Sequence, residues 1–302
     1  MRDPHESSPE SPDAVRAGLA RHDYLADDGL ATSIFLALSL RRPLLLEGEA
    51  GVGKTEVAKV LAEWTGGELV RLQCYEGIDA AQAVYEWDYA RQLLHLRALE
   101  AGGARIDEDE LYSSRFLVKR PLLRALSYEG DVPPVLLIDE VDRADDEFEA
   151  FLLELLSDWT ISVPEFGAVH ADVPPVVVLT SNRTRDVHDA LKRRCLYHWI
   201  PHPDFERELA IIRLRAPRVA DRLAREVAGA VEVLRDLELY KPPGVAETID
   251  WAQSLAALGA DQLDERSVDA TLGTILKYHE DHTRVRAHGL ADLVRAAAAR
   301  GA

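Results

Sequence analysis

The stretch that decides the fold is Leu44-Leu45-Leu46-Glu47-Gly48-Glu49-Ala50-Gly51-Val52-Gly53-Lys54-Thr55. It predicts a buried strand, a glycine-rich turn and the start of a helix, and it matches the pattern G-x-x-x-x-G-K-[ST]. Glycines let the backbone of such a turn approach an anion closely, because they lack the Cβ that would block it. Consecutive N–H groups at the positive end of the following helix then point at that anion. The stretch therefore predicts a phosphate-binding loop.

Two side chains of this loop have expected roles of their own. Lys54 is expected to reach the β- and γ-phosphates of a nucleotide, and the Thr55 hydroxyl is expected to bind Mg²⁺. A chance glycine-rich turn is the alternative, but here the pattern lies between an apolar run and an apolar-periodic helix, as the motif requires. The residues expected to bind the nucleotide are Gly48, Glu49, Ala50, Gly51, Val52, Gly53, Lys54, Thr55, Glu56 and, further along the chain, Asp139.

Composition limits the classes of function. The formal net charge of −18 argues against a broad electrostatic grip on nucleic acid or on an anionic membrane. No apolar run approaches the length of a membrane span, and the first thirteen residues lack the apolar core of a signal peptide. Two cysteines are too few for a disulfide framework. We expect a soluble cytoplasmic protein.

The second informative stretch is Val135-Leu136-Leu137-Ile138-Asp139-Glu140. Four consecutive aliphatic residues predict a strand buried on both faces, with two carboxylates at its carboxyl end, where open α/β sheets bind ligands. Asp139 is expected to hold Mg²⁺, directly or through water, and Glu140 to polarise the attacking water as general base. An ordinary acidic turn is the alternative, which the phosphate loop in the same chain makes less favourable.

Two further polar positions are candidates for catalysis. The strand predicted at Val176–Thr180 ends in Ser181-Asn182, and Asn182 could orient the lytic water, although asparagine is also a common turn residue. Arg193 and Arg194 close a short helix. They are either solvated surface residues or donors to a phosphate bound by a neighbouring subunit, the arginine-finger role.

The hydrophobic pattern divides the chain into three parts. Residues 1–14 are predicted to be a disordered tail, because they are rich in Pro and Ser and lack apolar periodicity. Residues 15–200 alternate strand-like and helical patterns, with an insertion near 75–110 and a hairpin near 161–169. Residues 201–302 contain only helical stripes and predict a separate helical domain. Histidines such as His279 and His282 do not match a zinc motif, so no structural metal site is expected.

These parts, in this order, resemble an AAA+ ATPase. The insertion and the hairpin resemble the MoxR branch, and Leu72–Asp79 with Tyr85–Trp87 look like CoxD-type MoxR proteins. The resemblance implies an αβα core with a five-stranded parallel sheet in the order 5-1-4-3-2 and a helical lid. It carries over the Walker A role to Gly48–Thr55, the Walker B role to Asp139 and Glu140, and the sensor 1 role to Asn182.

The resemblance also implies partners. MoxR-type ATPases bind ATP and Mg²⁺ between the subunits of a ring, commonly a hexamer, in which Arg194, or its rival Arg193, would be the arginine finger. They typically act with a von Willebrand factor A-domain partner as chaperones that mature metalloenzymes. The CoxD type is associated with molybdenum hydroxylases such as carbon monoxide dehydrogenase. Neither nucleic acid nor a membrane span is expected.

One departure and several alternatives stay open. Many relatives carry a sensor 2 arginine early in a lid helix, whereas the matching region here offers Glu247, so sensor 2 is unassigned. A phosphate-loop kinase acting on a small molecule would have no need of paired arginines. A nucleotide-gated scaffold without turnover would have no need of Glu140. The aromatic segment 85–89 could face either a partner or the core.

Overall fold

The computed structural model describes residues 9–102, 108–164 and 167–301. The prediction of a disordered tail over residues 1–14 is wrong for its last three residues, because a helix begins at Pro12. The Ser11 side chain caps this helix by accepting a hydrogen bond from the Ala14 N–H, and proline is well tolerated in a first helical turn. Residues 1–8 lie outside the described part of the chain.

Contacts divide the chain into two compact units. The first unit comprises the chain up to His22, Ala26–Glu47 and Thr55–Trp199. The second comprises Asp23–Leu25, Gly48–Lys54 and the chain from Ile200 onward. The phosphate loop therefore groups with the C-terminal helices, whereas the sequence pattern predicted a continuous core over 15–200.

The described strands are β1 (Leu44–Glu47), β2 (Leu69–Gln73), β3 (Tyr85–Trp87), β4 (Leu117–Lys119), β5 (Val135–Asp139), β6 (Thr160–Val163), β7 (Gly167–His170), β8 (Val176–Ser181) and β9 (Leu196–Trp199). The helices are α1 (Pro12–Ala20), α2 (Asp28–Leu40), α3 (Lys54–Thr65), α4 (Ala80–Val84), α5 (Tyr89–Ala101), α6 (Glu108–Leu111), α7 (Pro121–Leu126), α8 (Asp146–Asp158), α9 (Asp189–Arg194), α10 (Phe205–Arg215), α11 (Asp221–Asp236), α12 (Val245–Ala257), α13 (Glu265–Ile275), α14 (His279–His288) and α15 (Leu290–Arg300).

The first unit is built on a parallel sheet in the order β2-β5-β8-β1-β9. Numbered along the chain as the five strands of this sheet, they lie in the order 2-3-4-1-5. This is the predicted order 5-1-4-3-2 counted from the other edge, so the predicted fold class is confirmed. All five residues of β5 are buried, as expected for a central strand that is covered on both faces.

Parallel pairing brings the carboxyl ends of neighbouring strands to one edge of the sheet. Gln73 at the end of β2 pairs with Asp139 at the end of β5, and Ile138 pairs with Leu179 of β8. On the other side of β8, Ser181 pairs with Glu47, the last residue of β1. Polar side chains that are far apart in sequence therefore lie side by side, which is where open α/β sheets bind ligands.

Two small antiparallel pairs extend this unit. Strands β3 and β4 pair Tyr85 with Lys119. Only β3 lies within the segment near 75–110 where an insertion was predicted, because β4 follows that segment. Strands β6 and β7 pair Thr160 with His170 and form the predicted hairpin. Helix α8 precedes this hairpin and is capped by Asp145, whose side chain accepts a hydrogen bond from the Phe148 N–H.

The second unit has a helical core of its own. Leucines, valines and alanines of α10–α13 and α15 pack around the fully buried Trp251. The indole N–H of Trp251 donates to the hydroxyl of Thr271 at 2.7 Å, which satisfies the one polar atom of this large side chain. The C-terminal region is helical throughout its described elements, as the apolar stripes predict.

Candidate functional site

The phosphate loop occupies Gly48–Lys54 of the second unit, and α3 begins at its last residue. Gly51 and Gly53 have φ angles of +81° and +94°, which side chains with a Cβ rarely adopt. A Cβ on Gly48 would lie 2.4 Å from the Ile200 carbonyl oxygen. The glycine pattern therefore corresponds to real backbone constraints, and it leaves the start of α3 able to present its N–H groups to an anion.

Lys54 lies over its own loop. Its ammonium group donates to the carbonyl oxygens of Gly48 at 2.8 Å and Glu49 at 2.7 Å, and the residue is 6% exposed. These contacts hold a positive charge against the loop, at the place where a phosphate oxygen would be neutralised.

The first residues of α12 contact the loop within the same unit. The Val245 N–H donates to the Gly51 carbonyl at 2.9 Å, and a Cβ on Gly244 would lie 2.8 Å from the Gly51 Cα. Glu247, in the region where sensor 2 was sought, places its Oε2 2.9 Å from the position a Gly51 Cβ would take. This oxygen is buried and has no hydrogen-bond partner among the described residues. The structure therefore places a carboxylate, not an arginine, against the loop.

His202 is a half-buried residue of the second unit whose two ring nitrogens are buried. Burial, reinforced by the positive charges of Arg235 and Lys54, lowers the pKa of His202 to about 4. Neither ring nitrogen has a hydrogen-bond partner within the described part of the chain. The imidazole is therefore uncharged at neutral pH, and its protonation is unfavourable because it would bury a third positive charge.

In the first unit, Asp139 is 2% exposed and fully engaged. Its Oδ1 accepts from the hydroxyls of Thr180 at 2.6 Å and Thr55 at 3.0 Å. Its Oδ2 accepts from Nη2 of Arg71 at 2.6 Å and from Nε of Arg71 at 3.0 Å. Four charge-assisted hydrogen bonds thus hold this carboxylate at the end of β5.

The hydroxyl of Thr55 and the carboxylate of Asp139 suit Mg²⁺ chemically. Both are hard oxygen donors, and Mg²⁺ is usually held by one or two carboxylates together with phosphates and waters, not by a protein cage. Among the described residues, no group of three or more His, Cys, Asp or Glu side chains is arranged to hold a metal. The two predicted metal ligands are therefore brought together in a way that fits a nucleotide-bound Mg²⁺.

Glu140 follows in a left-handed conformation, with φ of +55°. Its N–H donates to the Thr180 hydroxyl at 2.9 Å. Its side chain accepts from the amides of Gln73 at 3.1 Å and Asn182 at 3.4 Å. Arg143 forms an ion pair with it at 3.2 Å. The structure thus brings the predicted general base and the predicted sensor residue into contact.

Other groups near these strand ends stay uncharged or paired. Burial, followed by the charge of Asp139, raises the pKa of the Cys74 thiol to about 12, so this cysteine is not a nucleophile at neutral pH. Burial and the neighbouring Glu47 carboxylate raise the pKa of Tyr197, whose hydroxyl donates to Glu47 at 3.2 Å.

Arg193 and Arg194 lie at the C-terminal end of α9 with exposed side chains. The guanidinium of Arg42 donates to the main-chain carbonyls of both residues at 3.0 Å. This contact satisfies carbonyls that a helix end leaves unpaired and places a cation at the negative end of the helix. The end of α9 is therefore fixed, while its two arginine side chains face solvent.

The aromatic segment lines a pocket of about 720 Å³ in the first unit. Trp87 is buried in the core, whereas Tyr75 and Tyr89 are 45% and 69% exposed. Gln73, which contacts Glu140, also lines this pocket. The segment 85–89 thus buries its tryptophan in the core and exposes Tyr89 to solvent, close to the exposed Tyr75 that lines the same pocket.

A family model described as AAA domain (dynein-related subfamily) matches residues 43–195, just over half of the chain. The chain is a member of the AAA domain family. The matched AAA region runs from the residue before β1 to the end of α9, so it includes the phosphate loop, the acidic strand end, Asn182 and the two arginines. No curated protein matches the chain.

Solved structures similar to this AAA protein include the RuvB Holliday junction branch migration motor of Thermotoga maritima. It is 17% identical, and the match covers 89% of this chain and 72% of that chain with a TM-score of 0.45. A proline-to-glycine mutant of the same motor is 16% identical over 87% of this chain and 69% of that chain, with a TM-score of 0.47. Identity this low carries no information on what the chain binds.

Sequence reasoning missed three side chains of the first unit that hold the acidic residues. Thr180 bridges Asp139 and Glu140, Arg71 pairs with Asp139, and Gln73 donates to Glu140. A signal was available for Arg71 and Gln73, since polar residues two apart at the end of a predicted strand share a face. Nothing local marked Thr180 as different from its aliphatic neighbours.

Proposed function

We propose that this AAA protein hydrolyses ATP with Mg²⁺. The observation that carries the proposal is Glu140, held by Gln73 and Asn182 directly after Asp139, in a chain that also contains a phosphate loop. Lys54 would neutralise the phosphates, and Thr55 and Asp139 would hold Mg²⁺, which would supply further neutralisation of the phosphate charge. Glu140 accepts a proton from the attacking water, and Asn182 orients that water.

The contacts of Glu140 support its role as base. A general base must be correctly oriented, and two amide donors with the nearby Arg143 hold the carboxylate of Glu140 in one position. A scaffold that only binds nucleotide would have no use for a carboxylate held in this way. Turnover is therefore the better account than binding alone.

We further propose that the site is completed by a neighbouring subunit in a ring, commonly hexameric in the branch this chain resembles. Arg194, with Arg193 as the alternative, would donate to the γ-phosphate of the neighbour and stabilise charge in the transition state. Support comes from exposed side chains on a helix end that Arg42 fixes. A residue that acts on a neighbouring subunit requires a fixed main chain and a side chain that is exposed to solvent.

The cellular role proposed is that of a remodelling chaperone of the MoxR type, in its CoxD-like branch. It would act with a von Willebrand factor A-domain partner on a metalloenzyme such as a molybdenum hydroxylase or carbon monoxide dehydrogenase, in the cytoplasm. This part rests on the resemblance of Leu72–Asp79 and Tyr85–Trp87 to that branch. Within the described residues, no helix is both long and apolar enough to cross a membrane.

The test of ATP hydrolysis uses two variants with matched controls. Lys54→Ala should abolish tight ATP binding, whereas Lys59→Ala, which removes an exposed lysine of the same helix, should not. Glu140→Gln should bind ATP but release no phosphate, whereas Glu147→Gln on the exposed side of α8 should retain the wild-type rate. Binding by calorimetry and phosphate release by a colorimetric assay give the two readouts. Unchanged affinity in the first variant or unchanged turnover in the second would refute the assignment.

A further inference from the structure

The guanidinium of Arg71 contacts the carboxylate of Asp139, which is the proposed ligand of Mg²⁺. It reaches Asp139 from the neighbouring strand, because β2 and β5 are parallel partners in which Arg71 pairs with Leu137 and Gln73 pairs with Asp139. Both guanidinium contacts, from Nε and Nη2, go to the same oxygen, Oδ2. Asp139, 2% exposed, is thus neutralised by the guanidinium of Arg71.

The remaining oxygen of Asp139 is also in use. Its Oδ1 accepts from the hydroxyl of Thr55, the other candidate ligand of Mg²⁺. A hydroxyl that donates its proton to Asp139 can still offer a lone pair to a metal. By contrast, a guanidinium on the carboxylate brings a second positive charge to the place where the cation would lie. Like charges a few ångströms apart in a partly buried site repel each other strongly.

The solvent exposure of Arg71 allows it to leave Asp139. Its side chain is 51% exposed, so it can exchange its contact with Asp139 for water, whereas Thr180 on the same carboxylate is buried at 1% exposure. Arg71 also donates to the side-chain oxygen of Gln73, and the amide nitrogen of Gln73 donates to Glu140. A displacement of Arg71 therefore alters the contact that orients the proposed general base.

We propose that Arg71 is a positioning residue that holds Asp139 in the absence of metal and is displaced from it when Mg²⁺ binds with the nucleotide. This inference rests on the proposed function. Mg²⁺ would then compete with Arg71 for Asp139. Displacement of Arg71 would also change its hydrogen bond to Gln73 and, through Gln73, the orientation of Glu140.

The test is calorimetric titration of ADP into the full-length protein, first in EDTA and then at a series of Mg²⁺ concentrations. Arg71→Gln removes the competing charge, so the Mg²⁺ concentration that half-saturates the enhancement of ADP affinity should fall by about tenfold, equivalent to about 1.4 kcal/mol. Arg71→Lys keeps the positive charge but loses the two hydrogen bonds to Asp139, so its half-saturating Mg²⁺ concentration should lie between those of wild type and Arg71→Gln. Circular dichroism verifies that each variant is folded.

The matched control is Arg143→Gln, which removes another half-exposed guanidinium from the same acidic cluster without touching Asp139. Its half-saturating Mg²⁺ concentration should stay within about twofold of wild type, since only a general field effect remains. An unchanged or higher Mg²⁺ requirement in Arg71→Gln, or an equal effect in both variants, would overturn the inference alone. Failure of the wild-type protein to bind ADP with or without Mg²⁺ would overturn the proposed function, and the inference with it.

Discussion

Replacing Thr180 by valine should damage both the stability of the first unit and its acidic site. The Thr180 hydroxyl donates to Asp139 at 2.6 Å and accepts from the Glu140 N–H at 2.9 Å, and the residue is 1% exposed. Valine has nearly the same shape but removes both hydrogen bonds, leaving the partly buried Glu140 N–H and one position of the buried Asp139 carboxylate unsatisfied. At roughly 1–3 kcal/mol for each, we expect a loss of about 3 kcal/mol of unfolding free energy.

Thr180→Ser is the control, because it keeps the hydroxyl and deletes one methyl group. That deletion should cost only about 1 kcal/mol. Urea unfolding followed by circular dichroism gives the midpoint and slope for the three proteins. If the unfolding free energy of Thr180→Val lies within about 1 kcal/mol of wild type, or exceeds that of Thr180→Ser, the hydroxyl does not hold Asp139 and Glu140 as described.

Three further predictions concern other parts of the molecule. Because the pKa of His202 is about 4 when folded and about 6.5 when unfolded, the unfolded chain binds a proton first as pH falls. Wild type should therefore lose about 2 kcal/mol more stability than His202→Gln between pH 7.5 and pH 5 in urea unfolding, and an equal loss would contradict the neutral histidine. Gly244→Ala places a methyl group 2.8 Å from the Gly51 Cα, so ADP affinity measured by calorimetry should fall at least tenfold, and unchanged affinity would contradict this packing. Arg42→Ala frees the end of the helix that carries Arg194, so ATP hydrolysis should drop while ATP binding persists; a wild-type rate would show that this anchor is not needed.

The elements that sequence predicted well are those with a local cause. Four consecutive aliphatic residues before Asp139 favour a strand that is covered on both faces, and this strand is buried throughout in the structure. The glycine spacing predicted the turn at Gly51 and Gly53 because positive φ angles leave few other residues possible.

The elements that sequence missed depend on register between strands. Arg71 meets Asp139 only because β2 and β5 are parallel neighbours in a particular register, and no local pattern states that register. Thr180 is one of a run of strand residues, and its bridging role appears only when its neighbour across the sheet is known. The helix start at Pro12 was missed because Pro and Ser are common both in disordered segments and at the first positions of helices.

The proposal that this AAA protein hydrolyses ATP at a site completed by a second subunit can be tested by the specific rate of ATP hydrolysis as a function of protein concentration, with particle mass followed in parallel. The rate per subunit should rise as a ring assembles, and inactive Arg194→Ala and Lys54→Ala proteins should regain activity when mixed. A rate per subunit that stays constant while the particle remains a monomer would contradict it.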